Sequence, residues 1–238
     1  MVRWHLSDSE TKFGAAKMTE GAAKPLGLDN RAPSAKEKRM TTPAIILASG
    51  SKIRATLLTN CGLSFTKIPA DIDEDVVKDE CLLKGFTPKA VALRLAQEKA
   101  LHVSRTHPGL VIGADSVLEL ERDLISKQKS LADAANLLRR FSGLTHYLHS
   151  AVAVAQDGQL LWSHVDTADM SVRRLSDDFI AHYIETAGEE ILSSVGCYML
   201  EAYGVHLFDS IKGDYFTVLG LPLLPLLGQL RHYEVLPA

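Results

Sequence analysis

Between residues 44 and 141 short apolar runs alternate with helical stripes, and few architectures accept that order. Residues 44–47 (AIIL) read as a buried strand that stops at Ser49-Gly50-Ser51. A helical face follows in Ile53, Leu57 and Leu58, with Asn60 and Gly62 as its stop. Residues 64–69 predict a second strand, and the acidic stretch 71–80 reads as loop. Pro88 opens a helix whose stripe is Val91, Ala92, Leu95 and Ala96. Residues 110–114 (LVIGA) predict a buried strand, 117–120 its continuation, and 131–141 an amphipathic helix.

The second half has a different texture. Strands at 148–155 and 160–164 flank Asp157-Gly158, a strong hairpin signal. A further strand is expected at 168–172, and Ser176 caps a helix to about residue 186. Strands are expected at 204–208 and 215–219, and a helix after Pro222. Alternation first and hairpins later predict an α/β fold: a mixed sheet flanked by helices, in two lobes that meet at a central cleft. The lobes are expected at about 41–142 and 143–238.

The 238 residues, 46% of them hydrophobic, suffice for a substantial core. Apolar runs such as 221–227 are broken by proline and too short to cross a bilayer, so no membrane partner is expected. A formal charge of −3 gives no reason to expect nucleic acid. Cys61, Cys81 and Cys197 stand far apart without metal-ligand spacing, which fits a reducing cytoplasm. Residues 1–40 carry eight Lys or Arg against five Asp or Glu, leaving −6 on the remainder. They lack an apolar signal core and read as a disordered extension, with Met40 a candidate start of translation.

Chemistry-bearing residues concentrate before position 130. The strand, small-residue turn and helix start over 47–54 can present backbone N–H groups and the Ser49 and Ser51 hydroxyls to an anion. Arg54, in the first helical turn, is placed to fork onto phosphate oxygens. The run Asp71-Ile72-Asp73-Glu74-Asp75 can hold a hard divalent ion or simply face water. Asp115 ends an apolar strand, where an open α/β sheet keeps its ligand crevice; there it could bind metal or take a proton from water, or merely cap a turn. Lys99 extends the Val91–Leu95 stripe and should point toward the cleft, and Lys127 could reach the same place. His146 and His149 read as turn and strand surface, and Tyr198, Tyr203 and Tyr215 as packing residues that could stack on a base. An anion-binding turn, one arginine, two lysines and two carboxylates make a set suited to cleaving a polyphosphate.

The succession LASGSxxR, DIDE, RLAQEKA, GADS, SK and GDYFTVLGLPL resembles the Maf family of nucleoside triphosphate pyrophosphatases over about residues 43–231. The resemblance implies a Maf/ITPase-like fold and hydrolysis of a nucleoside triphosphate, non-canonical or modified, to monophosphate and pyrophosphate. It implies Mg²⁺ or Mn²⁺ as cofactor, with Glu74 and Asp115 as metal residues. Asp115 would be the water-activating base, joined in catalysis by Lys99, Lys127 and Glu74, while Ser49 and Arg54 bind phosphate. A homodimer is a further expectation. Where the family has SPRR, this chain reads Ser51-Lys52-Ile53-Arg54, one arginine short. Ser116 and Gln128 also depart from the pattern, and the base preference stays open. The competing readings are a nucleotidyltransferase-like enzyme, which would yield a conjugate, and a non-catalytic nucleotide sensor linked to septum formation.

Overall fold

In a computed structural model, residues 43–237 are described; the extension expected at 1–40 lies outside them. Among the described residues, seven strands form one mixed sheet in the order β2-β1-β3-β5-β6-β7, with β4 pairing the free edge of β3. They are β1 (Ile45–Leu47), β2 (Thr66–Lys67), β3 (Leu110–Leu120), β4 (Asp123–Ile125), β5 (Thr145–Gln156), β6 (Gln159–Val172) and β7 (Phe208–Lys212). Pairs β1–β2 and β1–β3 are parallel and the others antiparallel. The helices are α1 (Lys52–Asn60), α2 (Glu74–Leu83), α3 (Pro88–Ser104), α4 (Leu131–Phe141), α5 (Asp177–Ala187), α6 (Tyr215–Val218) and α7 (Leu223–His232). The α/β class and mixed sheet read from the sequence stand. No helix among the described residues is long and apolar enough to cross a membrane.

Successive residues of a strand face opposite sides, so each face of the sheet has its own core. On one face α3 packs Val91, Ala92, Leu95, Ala96 and Ala100 against Val117, Ala151, Ala153 and Ala155. The other face splits along its length. Ile112, Val152 and Val154 meet α1 and α7, while Leu118, Leu148 and Met170 meet α4 and α5. The first contact is unusually close. A Cβ on Gly113 would stand 2.3 Å from the Ala96 carbonyl oxygen and 2.5 Å from Ala100 N. Only glycine lets the α3 backbone settle so near β3, and that approach brings Lys99 down onto Asp115.

Several elements differ from the sequence expectations. The acidic stretch 71–80 is largely α2: Asp73 caps it, accepting from Asp75 N (3.1 Å) and Val76 N (3.2 Å). Carboxylates in a first turn favour the helix through its positive end, so the charge run was a helix start. The strands expected at 110–114 and 117–120 are one strand of 11 residues, and those expected at 160–164 and 168–172 are one of 14. The stretch 204–208 is mostly a 3₁₀ turn (Tyr203–Leu207) leading into β7. Residues 215–218 form the short α6, capped by Asp214 through Phe216 N (2.9 Å) and Thr217 N (3.2 Å). The cap overrides the strand preference of Tyr, Phe, Thr and Val.

Candidate active site

Asp115 lies within β3, not at its end. On one edge β3 pairs β1 only over residues 110–112 and β4 only over 118–120, which leaves 113–117 without a strand. The crevice is therefore a lateral gap in the sheet, and guanidinium chemistry fills it. The last contact of the β1 edge is Ala48 N to Ile112 O at 2.8 Å. Two residues on, Ala114 O accepts from Arg54 Nη1 at 2.9 Å, so a side chain takes the place of the missing strand.

Arg54 is buried and almost fully engaged. Its Nε donates to Gly220 O (2.8 Å), Nη1 also donates to Ser49 Oγ (3.1 Å), and Nη2 to Ser116 Oγ (3.0 Å). Four of its five N–H groups are thus used, and a two-pronged grip on a phosphate is not open to it in this arrangement. Burial pulls the guanidinium below its ordinary pKa, opposed by Asp115 and Glu74, whose charges favour the cation. Ser49 also accepts from Ser51 N at 3.3 Å, which keeps the turn tight at the helix start.

Beside this frame stands the ionic centre. Lys99 Nζ, on α3, lies 2.5 Å from Asp115 Oδ1 and 2.6 Å from Glu74 Oε1. The Lys99 and Asp115 side chains are each 10% exposed, while Glu74, the first residue of α2, is 43% exposed. Burial alone would raise the Glu74 pKa. The hydrogen bond and charge of Lys99, with Lys78 and Lys127 behind it, hold the carboxyl below its usual value. Lys127 follows β4 on an exposed loop, within electrostatic range of Glu74. Glu74, Lys99 and Asp115 thus meet directly. Arg54 and Ser49 flank them through β3, and Lys127 stands at the rim.

Other groups of this frame went unread in the sequence, apart from Ser116, noted there only as a departure from the family pattern. Ser116 and Ser150 share a hydrogen bond at 3.0 Å, and Ser150 donates to Thr217 O at 2.8 Å. Gly220, at φ +92°, leaves just enough room: a Cβ there would meet Ser116 Oγ at 3.1 Å. Lys67 Nζ donates to Gly50 O at 2.7 Å at the mouth of the turn. The main-chain acceptors Ala114 O and Gly220 O have no side-chain signature. The one available signal was the glycine of LGLP.

His146 and His149 are buried, contrary to the surface placement expected of them. Three residues apart on β5, they face opposite sides of the sheet. His149 lies between Glu119 Oε2 (2.8 Å) and Thr167 Oγ1 (2.9 Å), and His146 Nε2 is 2.8 Å from the Tyr198 hydroxyl. Tyr198 is buried, whereas Tyr215 is exposed. Among the described residues, no group of three His, Cys, Asp or Glu side chains is gathered closely enough to hold a metal ion.

The sequence matches the Maf-like protein family over residues 44–233. The chain is 50% identical over 191 residues to a 7-methyl-GTP pyrophosphatase of Rhizobium etli, covering 80% of this chain and 96% of that one. It is 48% identical over 197 residues to a nucleoside triphosphate pyrophosphatase of Caulobacter vibrioides, covering 83% and 99%. A 7-methyl-GTP pyrophosphatase of Rhizobium meliloti is 44% identical over 197 residues, covering 82% and 99%.

Proposed function

The chain belongs to the Maf-like family, and on that premise we propose that it is a nucleoside triphosphate pyrophosphatase, a hydrolase of acid anhydrides that releases monophosphate and pyrophosphate. The observation that carries this reading is the contact of Glu74, Lys99 and Asp115 beside a gap in the sheet along the edge of β3 that the Arg54 guanidinium fills.

Asp115 is the base. Its carboxylate takes a proton from a water that attacks the α-phosphorus. A bond forms between the water oxygen and that phosphorus, and the bridging bond to the β-phosphate breaks, its electron pair leaving on pyrophosphate. Lys99 and Lys127 neutralise the phosphate oxygens. Ser49 and the N–H groups of the turn hold a terminal oxygen at the α1 N-terminus. Arg54 shapes this turn and adds its charge at short range, with one N–H left for ligand.

A divalent cation fits this donor set. Glu74 and Asp115 already reach one cation in common, the Lys99 ammonium, and hard carboxylate oxygens are what Mg²⁺ or Mn²⁺ requires. Bound there, the ion would offset phosphate charge and acidify water. Such substrates are met in the cytoplasm, and the catalytic body is residues 41–238, its lobes joined along β3 and β5.

The test is chromatography of a triphosphate panel incubated with purified protein and Mg²⁺ or Mn²⁺. The panel includes 7-methyl-GTP, since relatives of near-equal identity carry both the general and the methylated-guanosine name. Monophosphate and pyrophosphate in equal amounts are expected from at least one member, and none after chelation. A panel left intact contradicts the reading.

A further inference from the structure

Two carboxylates that serve a metal must be held together when no metal is near, and in this chain a lysine holds them. We propose that Lys99 is a displaceable counter-ion: it clasps Glu74 and Asp115 until a metal–triphosphate complex enters, then passes to the phosphates while the metal takes the carboxylates. The proposal rests on the pyrophosphatase reading and adds an order of events to it, in which the metal arrives already bound to nucleotide.

The geometry supplies the clasp. One ammonium bridges oxygens from two different elements, α2 and β3, at 2.6 and 2.5 Å. Its stem is fixed from above, because α3 sits on β3 at the distance Gly113 permits and Val91, Leu95 and Ala96 are fully buried. Glu74 is the half-exposed member, on the first turn of its helix, and is the side from which the clasp can open. An ammonium has three N–H donors, and this one spends two on carboxylates. Among the described residues the third has no partner and can meet a phosphate first, so the transfer need not pass through a bare charge.

The occupied clasp decides what can open it. A bare divalent cation would have to displace an ammonium already paired with both carboxylates, with nothing to receive that ammonium. A metal–triphosphate complex offers Lys99 new oxygens in exchange. The ligand count agrees. Two protein carboxylates cannot complete a magnesium shell, which is the pattern of sites where substrate phosphates and water supply the remainder.

The experiment is Mn²⁺ binding to the intact chain, read from the loss of the free-ion paramagnetic resonance signal beyond that caused by the analogue alone in protein-free samples, with no nucleotide turned over. Wild-type protein is expected to bind Mn²⁺ alone weakly and at least about tenfold more tightly with a non-hydrolysable α,β-methylene triphosphate present. Lys99→Met keeps the stem and removes the clasp, and it is expected to bind Mn²⁺ alone at least about tenfold more tightly than wild type. That gain should vanish in Lys99→Met combined with Asp115→Asn. Equal affinity of wild type and Lys99→Met for Mn²⁺ alone would overturn the proposal. So would wild-type binding that is as tight without the analogue as with it, and this second comparison decides even if Lys99→Met fails to fold. The panel assay is scored apart: Mn²⁺ behaviour as expected without any hydrolysis would leave the clasp standing and remove the hydrolase.

Discussion

The ionic centre around Asp115 and the His146 pocket on the opposite face are both buried, and the fold treats their ionisable groups in opposite ways. At the centre a charged partner is supplied: Lys99 bridges two carboxylates, and Glu74 is held below its usual pKa despite burial. In the pocket, His146 stacks on Phe141, its one hydrogen bond among the described residues is with the Tyr198 hydroxyl, its Nδ1 has no partner among them, and burial drives its pKa down to about 4. Charge is retained where a partner is provided and surrendered where none is. The first arrangement costs desolvation and leaves two carboxylates beside an ammonium. The second yields packing alone.

The largest consequence concerns the charged region. Asp115→Asn keeps the shape but cannot take a proton from water and removes one of the two anions paired with the buried Lys99, so turnover should fall about 10²–10⁴-fold and the melting temperature should fall with it. Steady-state kinetics beside thermal unfolding check both parts, and unaltered turnover would dissolve the contrast between a working and a packed region.

The neutral region is tested by pH. Above about pH 6.5 His146 is uncharged in both folded and unfolded chains and adds no pH dependence. As pH falls from there to about 4, the unfolded chain binds a proton that the folded chain refuses. Stability should therefore drop about 1.4 kcal/mol per pH unit from this group, or about 3 kcal/mol by pH 4. His146→Phe should flatten that share of the slope in denaturant unfolding at several pH values. An unchanged slope would mean the histidine is not held neutral.

Next in size is the contact that lets the charged region form. Gly113→Ala drives a methyl into the α3 backbone and should cost about 1–3 kcal/mol of stability while loosening the Lys99–Asp115 contact. Calorimetry and activity should fall together. The smallest effect belongs to Lys127, exposed at the rim. Lys127→Ala should raise KM a few-fold with little change in stability, since an exposed charge contributes about 0–1 kcal/mol. Added salt should shrink the difference.

Local signals were legible where one residue type decides the outcome. The amphipathic stripe of α4, the Ser176 cap of α5 and the Asp157-Gly158 turn needed no tertiary knowledge. Lys99 and Asp115, which meet at the centre, were legible too, because each is a charge set against an apolar stripe or strand, whereas Glu74 was singled out from its acidic run only by the resemblance. What stayed hidden depends on distant strands. Asp115 read as a strand end because the chain does not announce that β1 stops pairing at residue 112 and β4 starts at 118. Arg54 read as a phosphate fork because its main partners are two carbonyl oxygens, 60 and 166 residues away. The α2 helix was missed because its acidic cap and first turn imitate a solvated loop.

Hydrolysis in ¹⁸O-labelled water, followed by mass spectrometry of both products, tests the central assignment most directly. Attack by an Asp115-activated water on the α-phosphorus predicts the label in the monophosphate alone, and none in pyrophosphate. Label in pyrophosphate, or in inorganic phosphate released from the chain end, would show that this site does other chemistry.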